Sequence, residues 1–155
     1  MKNVCARSVL LIAAIAMTTV AVAAQEAKIR QKQVPAAVLK SFKAAYPQAK
    51  VRGYAREKEN GKVFFEVESI EGSTHRDVLY NPDGTVAEIE ESIATIDLPA
   101  EAQQTLAQKY PHAVVTIAEK VTTGDKVGYE VNAKQGKRRI SLEFDADGKL
   151  KPKGQ

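Results

Sequence analysis

The feature that most constrains this chain is an internal repeat at a constant offset of 64 residues, the spacing from Val34 to Leu98. Matching positions keep their chemical class, and neither copy needs a gap. The matched pairs include Val34-Pro35 with Leu98-Pro99, Tyr46-Pro47 with Tyr110-Pro111, Val63, Phe65 and Val67 with Val127, Tyr129 and Val131, and Val78 and Tyr80 with Leu142 and Phe144. Such self-similarity indicates one supersecondary unit used twice. We expect the units at 33–93 and 97–152.

Each unit begins with a helix. From Val34 to Tyr46 an apolar residue recurs at every fourth position, which places one apolar stripe on a helix. Pro35 suits the first helical turn, where its missing N–H leaves no bond unmade. Pro47 ends the helix, because a residue before proline avoids the α region. The second unit repeats these signals from Leu98 onward.

After each helix the apolar period changes to two, as in Val63, Phe65 and Val67. This alternation is typical of half-buried antiparallel strands. Asn60-Gly61 and Asp83-Gly84 supply the positive φ angles of tight hairpins. The sequence therefore predicts an α+β fold of two tandem repeats, each one α-helix packed on a three- or four-stranded antiparallel sheet. We expect strands near 49–57, 62–69, 74–81 and 85–93, then near 113–122, 126–134, 137–145 and 148–151.

Residues 1–24 have the pattern of a signal peptide. Lys2 and Arg7 precede an almost wholly apolar run from Val9 to Val22, and cleavage after Ala23 or Ala24 fits the small-residue rule. The run is shorter than the roughly 17–25 residues that a membrane-spanning helix needs. We therefore expect a periplasmic or secreted mature chain with no transmembrane segment after cleavage. Residues 25–32 are predicted to be a short linker.

Composition narrows the functional classes. Cys5 is the only cysteine and should leave with the signal peptide, so the mature chain has no thiol or disulfide. Removing Lys2 and Arg7 lowers the formal charge from +4 to +2, which does not favour a nucleic-acid partner. His75 and His112 lack a neighbouring second ligand, and the sequence has no Gly-x-Ser-x-Gly motif. We predict no enzymatic activity, no cofactor and no metal site.

The two units differ at three positions that we assign to the sheet face away from the helix. The first unit has Tyr54, Phe64 and Leu79 there. The second unit has Ala118, Gly128 and Glu143. A one-sided apolar cluster with a charged rim is typical of a protein-binding surface. The predicted rim is Arg52, Glu66, Glu68 and Asp77. The alternatives are that this cluster packs against the other unit or against a second copy in a homodimer.

The pattern resembles the PepSY-like, β-lactamase-inhibitor-like family of exported bacterial proteins. The resemblance rests on the helix entry Val34-Pro35, the helix exit Tyr46-Pro47 and the turn Asp83-Gly84, each repeated in the second unit. It implies a protein-binding or peptidase- or hydrolase-inhibitor-like module that acts through a sheet surface on an unknown protein or peptide of the cell envelope. The alternatives are an envelope chaperone-like or structural peptide-binding protein, and a carrier of a small ligand or metal.

Overall fold

The structure, a computed structural model, describes residues 25–152, so the predicted signal peptide lies outside the described residues. No helix within the described range is long and apolar enough to cross a membrane. The elements in chain order are β1 (Gln25–Lys28), α1 (Ala36–Ala45), β2 (Lys50–Glu59), β3 (Lys62–Glu71), β4 (Thr74–Tyr80), β5 (Val86–Ser92), α2 (Ala100–Lys109), β6 (Val114–Thr123), β7 (Lys126–Gln135) and β8 (Arg138–Asp145).

The strands form one eight-stranded antiparallel sheet in which spatial order equals chain order. β5 pairs on one edge with β4 and on the other with β6, where Ile89 lies opposite Thr122 and Ser92 opposite Glu119. The predicted α+β class is confirmed. The two repeats, however, share one continuous sheet, because β5 offers backbone hydrogen-bonding groups on both of its edges.

The offset of 64 residues holds in three dimensions. It places α1 on α2, β2 on β6 and β3 on β7, and a β-bulge between Val51 and Gly53 recurs between Val115 and Ile117. The residues 25–28, which the sequence assigned to a linker, form β1 and pair with β2. β1 leads into α1 as β5 leads into α2. Each unit is therefore a strand, a helix and three further strands.

Both helices contribute to cores on one face of the sheet. The stripe predicted for α1 is buried: Val34, Val38 and Phe42 are each at most 7% exposed. Full burial of such side chains contributes roughly 1.5–3 kcal/mol each. The first core consists of Val34, Val38, Phe42, Val67, Val78 and Tyr80, and the second consists of Leu98, Ala102, Leu106, Ala118, Val131, Ala133, Ile140, Leu142 and Phe144.

The two Asp-Gly turns pack against the helices. Gly84 and Gly148 have φ angles of +87° and +86°, which L side chains rarely adopt. A Cβ added at Gly84 would lie 2.8 Å from the carbonyl oxygen of Ala37 in α1. A Cβ at Gly148 would lie 2.7 Å from the Cβ of Pro99 at the start of α2. Glycine is thus required at both turns by conformation and by space.

Arg76 on β4 ties the first core to the sheet. Its guanidinium lies 4.2 Å from the centre of the Tyr46 ring, a cation–π contact. The same group donates hydrogen bonds to Glu91 at 2.7 Å and to Glu71 at 3.1 Å. In the second unit Ile140 stands at the matching position and is buried. At this position the first unit therefore uses a charged side chain with ion pairs, whereas the second unit uses a buried apolar side chain.

Candidate functional site: the acidic sheet face

The side of the sheet opposite the helices has no covering layer among the described residues. Residues directly opposite each other in an antiparallel register point to the same face, so the strand pairings show which side chains share this side. Each of the eight strands contributes at least one carboxylate to it. This acidic face is defined by Glu26, Glu57, Glu66, Glu68, Asp77, Glu88, Glu90, Glu119, Glu130 and Glu143.

The carboxylates are closest together around β3, β4 and β5. Glu66 lies opposite Leu79, and Asp77 lies between Glu68 and Glu90 on its two neighbouring strands. A small cavity of about 70 Å³ opens here, lined by Glu57, Glu66, Asp77, Leu79, Glu88 and Glu90. Like charges at this separation repel one another, and partial burial increases the cost.

Two groups of three residues bring carboxylate oxygens within 4.8 Å of one another. One group is Glu26, Glu66 and Glu68, and the other is Asp77, Glu90 and Glu119. Oxygen-only ligand sets of this kind suit hard cations such as Ca²⁺. These six residues are therefore the ones that could hold a metal ion on the described part of the chain.

Burial and mutual repulsion raise the pKa values on this face. Burial, followed by the charges of Asp77, Glu57, Glu68 and Glu26, raises the pKa of Glu66 from 4.5 to about 8. Burial, followed by Glu130 and other neighbouring carboxylates, raises the pKa of Glu90 to about 7. The pKa values of Glu57, Asp77, Glu119 and Glu130 are also raised, with burial the largest cause in each. The face is thus partly protonated near neutral pH.

No carboxylate of the acidic face forms an ion pair within the described residues. Both ion pairs within the described residues belong to Arg76, on the helix side of the sheet. His75 partly offsets the raised pKa values of Asp77 and Glu119, and Lys151 does the same for Glu130. The carboxylates therefore produce a negative potential that attracts cations. Binding of a cation would lower the free energy of the face.

The structure places most of the sequence-predicted surface together. Phe64 lies opposite Glu57, and Leu79 lies between Glu66 and Glu88, so each apolar side chain has carboxylate neighbours. Both are only partly exposed. Glu66, Glu68 and Asp77 share this face, as expected, and Arg52 is exposed at the β2 bulge.

The assignment of Tyr54 to the same surface is wrong. Tyr54 lies opposite Val67 and packs against the first core, on the helix side of the sheet. The bulge between Val51 and Gly53 adds one residue to β2, which shifts the alternation of side chains from that point. Without the bulge, strict alternation along β2 would have placed Tyr54 on the opposite face.

The sequence reasoning also missed part of the site. Glu88 and Glu90 alternate with Ile89, a visible period of two that could have placed both on the face away from the helices. The alternation along β5 could not have predicted that these residues lie near Glu119. It depends on the pairing of β5 with β6, which is a long-range contact.

The fold and its site define a class of protein: a tandem helix-and-sheet module with one open, acidic sheet face. The chain belongs to the PepSY-like family. The model of that family, described as "Putative beta-lactamase-inhibitor-like, PepSY-like", matches residues 20–73 and again residues 63–152. The two matches overlap at residues 63–73, together span both units, and confirm the resemblance recognised from the helix-entry, helix-exit and turn motifs.

Solved structures share the fold at low sequence identity. A protein of Bacteroides eggerthii, described as "putative periplasmic", has a TM-score of 0.64 at 16% identity, covering 76% of this chain and 85% of that chain. A DUF2874 family protein of Bacteroides uniformis has a TM-score of 0.62 at 15% identity, covering 75% and 85%. A BLIP-like protein of Bacteroides fragilis has a TM-score of 0.58 at 18% identity, covering 76% and 84%. No curated protein matches this chain.

Proposed function

We propose that this chain is an exported, non-enzymatic PepSY-like module of the periplasm that binds a cationic surface of another envelope protein through its acidic face. The observation that carries the proposal is the carboxylate on every strand of a sheet face that has no covering layer among residues 25–152. A face of this kind attracts and orients a positively charged partner. An inhibitor-like role would follow if that partner is a hydrolase.

The raised pKa values mean that ionising the carboxyl groups of this face costs free energy unless a positive charge is bound to it. Glu66, with a pKa of about 8, holds its proton because it is partly buried and, to a smaller extent, because ionisation would add charge beside Asp77 and Glu57. An arriving lysine or arginine favours the ionised form, so binding should release protons. The affinity for a cationic partner should therefore rise with pH between 6 and 8.

Phe64 and Leu79 add an apolar contribution at the centre of the acidic face. Charges alone give association rate and orientation, whereas buried apolar anchors supply most of the affinity at protein interfaces. A partner that alternates cationic and apolar side chains fits this arrangement best. An extended segment or a strand-rich surface presents that alternation, since its side chains have a period of two.

The test uses the mature chain and a fluorescent decapeptide of alternating lysine and leucine, with the alternating glutamate–leucine peptide as the negative probe. We expect saturable binding of the lysine peptide that weakens with salt and strengthens from pH 6 to pH 8. The variant Phe64→Ser should weaken binding several-fold at every pH. A double variant, Glu66→Gln with Asp77→Asn, should reduce the pH dependence.

A matched control removes the same two charges elsewhere. Glu101→Gln with Asp125→Asn changes exposed residues of α2 and of the turn between β6 and β7, and should leave binding and its pH dependence unchanged. Equal weakening by both double variants would mean that net charge alone governs binding, and the proposal would fail. Saturable Ca²⁺ binding without peptide binding would instead support a metal carrier.

A further inference from the structure

The junction between the two repeats provides an internal template for what can pair with the free edge of the sheet. At that junction β5 pairs with β4: Leu79 lies opposite Glu88, Val78 opposite Ile89 and Asp77 opposite Glu90. Ile89 packs against the first core. The edge of the first unit is therefore completed by a following strand that also contributes an apolar side chain to the core.

The second unit begins the same arrangement in its last described residues. Phe144 forms a bridge with Leu150, the counterpart of the pairing between Tyr80 and Val86. The N–H of Lys151 donates a hydrogen bond to the carbonyl of Glu143 at 2.8 Å. The last residue that the structure describes is Pro152. Within the described residues, the outer edge of β8 from Arg138 to Leu142 has no partner strand.

A groove lies beside this edge. Its volume is about 440 Å³, and its lining is Tyr110, Ser141, Leu142, Glu143, Leu150, Lys151 and Pro152. Tyr110 and Leu142 are the counterparts of Tyr46 and Val78. Val78 lies opposite Ile89, and Tyr46 and Ile89 both pack against the first core. The groove is thus located where the second unit would receive a side chain equivalent to Ile89.

We propose that the outer edge of β8 is a strand-docking site for an extended segment of a partner protein that carries an apolar–polar–apolar–acidic pattern. The segment would run antiparallel to β8, as β5 runs along β4. Its first apolar residue lies opposite Leu142 and fills the groove, and its second lies opposite Ile140. Adding a strand to an open sheet edge satisfies backbone groups and lets alternate side chains set specificity.

The acidic residue of the docked segment is inferred from the positive charges at the edge of β8. Arg139 is exposed on the acidic face of β8, one residue before Ile140, and Lys137 and Arg138 extend the positive charge into the hairpin. The docked residue opposite Arg139 would point to the same side, where a carboxylate completes an ion pair. A second copy of this chain that docked through β1 would fit poorly, since the repeat offset places Gln25 of β1 where β5 has Ile89.

The experiment measures binding of a fluorescein-labelled peptide, Thr-Ile-Thr-Val-Asp-Val-Thr, to the mature chain by anisotropy. The variant Arg139→Glu should weaken binding about fivefold, which corresponds to about 1 kcal/mol. The peptide in which lysine replaces the aspartate should bind this variant better than it binds the original chain. A peptide with aspartate in place of the isoleucine should not bind, because the groove would then receive a charge.

Hydrogen exchange locates the site. Peptide binding should slow amide exchange in β8 and leave β1, the opposite edge of the sheet, unchanged. Absence of saturable binding, insensitivity to Arg139→Glu, or protection of β1 instead would each overturn the proposal. Protection of β8 before any peptide is added would also overturn it, since the chain itself or a second copy would then occupy the edge. The groove shares Glu143 with the acidic face. The two tests depend on different residues, Arg139 at the edge of β8 and Glu66 with Asp77 on the acidic face, so either proposal can fail without the other.

Discussion

Replacing Glu66 with glutamine tests the electrostatics of the acidic face without altering its shape. Glu66 is flanked on its own strand by Glu68 and across the sheet by Leu79, and burial is the largest cause of its raised pKa. Glutamine is nearly isosteric with glutamate and cannot ionise. The variant should therefore unfold less readily than the original chain at high pH and behave like it at low pH.

The size of the stability gain expected from Glu66→Gln follows from the pKa of Glu66. A rise from 4.5 to about 8 means that the folded state holds the proton more tightly than the unfolded state. The stability contributed by this group is complete below about pH 4.5 and is lost as the pH rises through about 8. Taken in full, the loss at pH 8 is about 4 kcal/mol. Glu66 is partly exposed, so solvent screening reduces the expected gain from Glu66→Gln to about 1–2 kcal/mol.

Urea unfolding followed by circular dichroism at pH 5 and pH 8 measures this gain. The difference in unfolding free energy between Glu66→Gln and the original chain should be about 1–2 kcal/mol at pH 8 and below about 0.5 kcal/mol at pH 5. Glu101→Gln, an exposed glutamate on α2, should show no such pH dependence. An identical pH response of the Glu66→Gln variant and the original chain would refute the reasoning, because Glu66 would then ionise as it does in water.

Three further predictions concern the helix side of the sheet. The hydroxyl of buried Tyr80 has no hydrogen-bond partner among the described residues, and the second unit has Phe144 at the matching position. Tyr80→Phe should therefore raise the unfolding free energy by about 1 kcal/mol in urea titrations. Gly84→Ala combines a positive φ with a 2.8 Å clash and should cost more than about 2 kcal/mol, whereas Gly136→Ala, with open space around it, should cost only about 1 kcal/mol. Equal losses at the two glycines would contradict the packing argument. Arg76→Met should lower the thermal midpoint and make it less sensitive to salt, because two ion pairs and a cation–π contact are lost. An unchanged salt dependence would show that the two ion pairs contribute nothing to stability.

Local signals were sufficient for the elements. The four-residue spacing from Val34 to Tyr46 and the prolines at both ends located α1, and the alternation of Val63, Phe65 and Val67 located β3. These signals act within a few residues, so they are fully present in the sequence. Strand β1 was missed because a four-residue strand at an edge has too short a pattern to be distinguished from a linker.

The site was only partly predictable. Phe64, Leu79 and their neighbouring carboxylates were correctly grouped, since they alternate with core residues along β3 and β4. Tyr54 was placed on the wrong face because a β-bulge is not visible in the alternation itself. The predicted emphasis on an apolar surface also changed. The structure shows that both residues have carboxylates opposite them on neighbouring strands.

By itself, the sequence determined the repeat, the helices and most strands, because each depends on residues that are close together in the chain. Only the tertiary structure decided that the two units share one sheet, since pairing of β5 with β6 joins positions about 30 residues apart across a helix. That pairing brings Glu90 beside Glu119 and extends the acidic face across both repeats. The sequence specifies which residues are carboxylates, but their burial and mutual repulsion, which together raise their pKa values, exist only in the folded sheet.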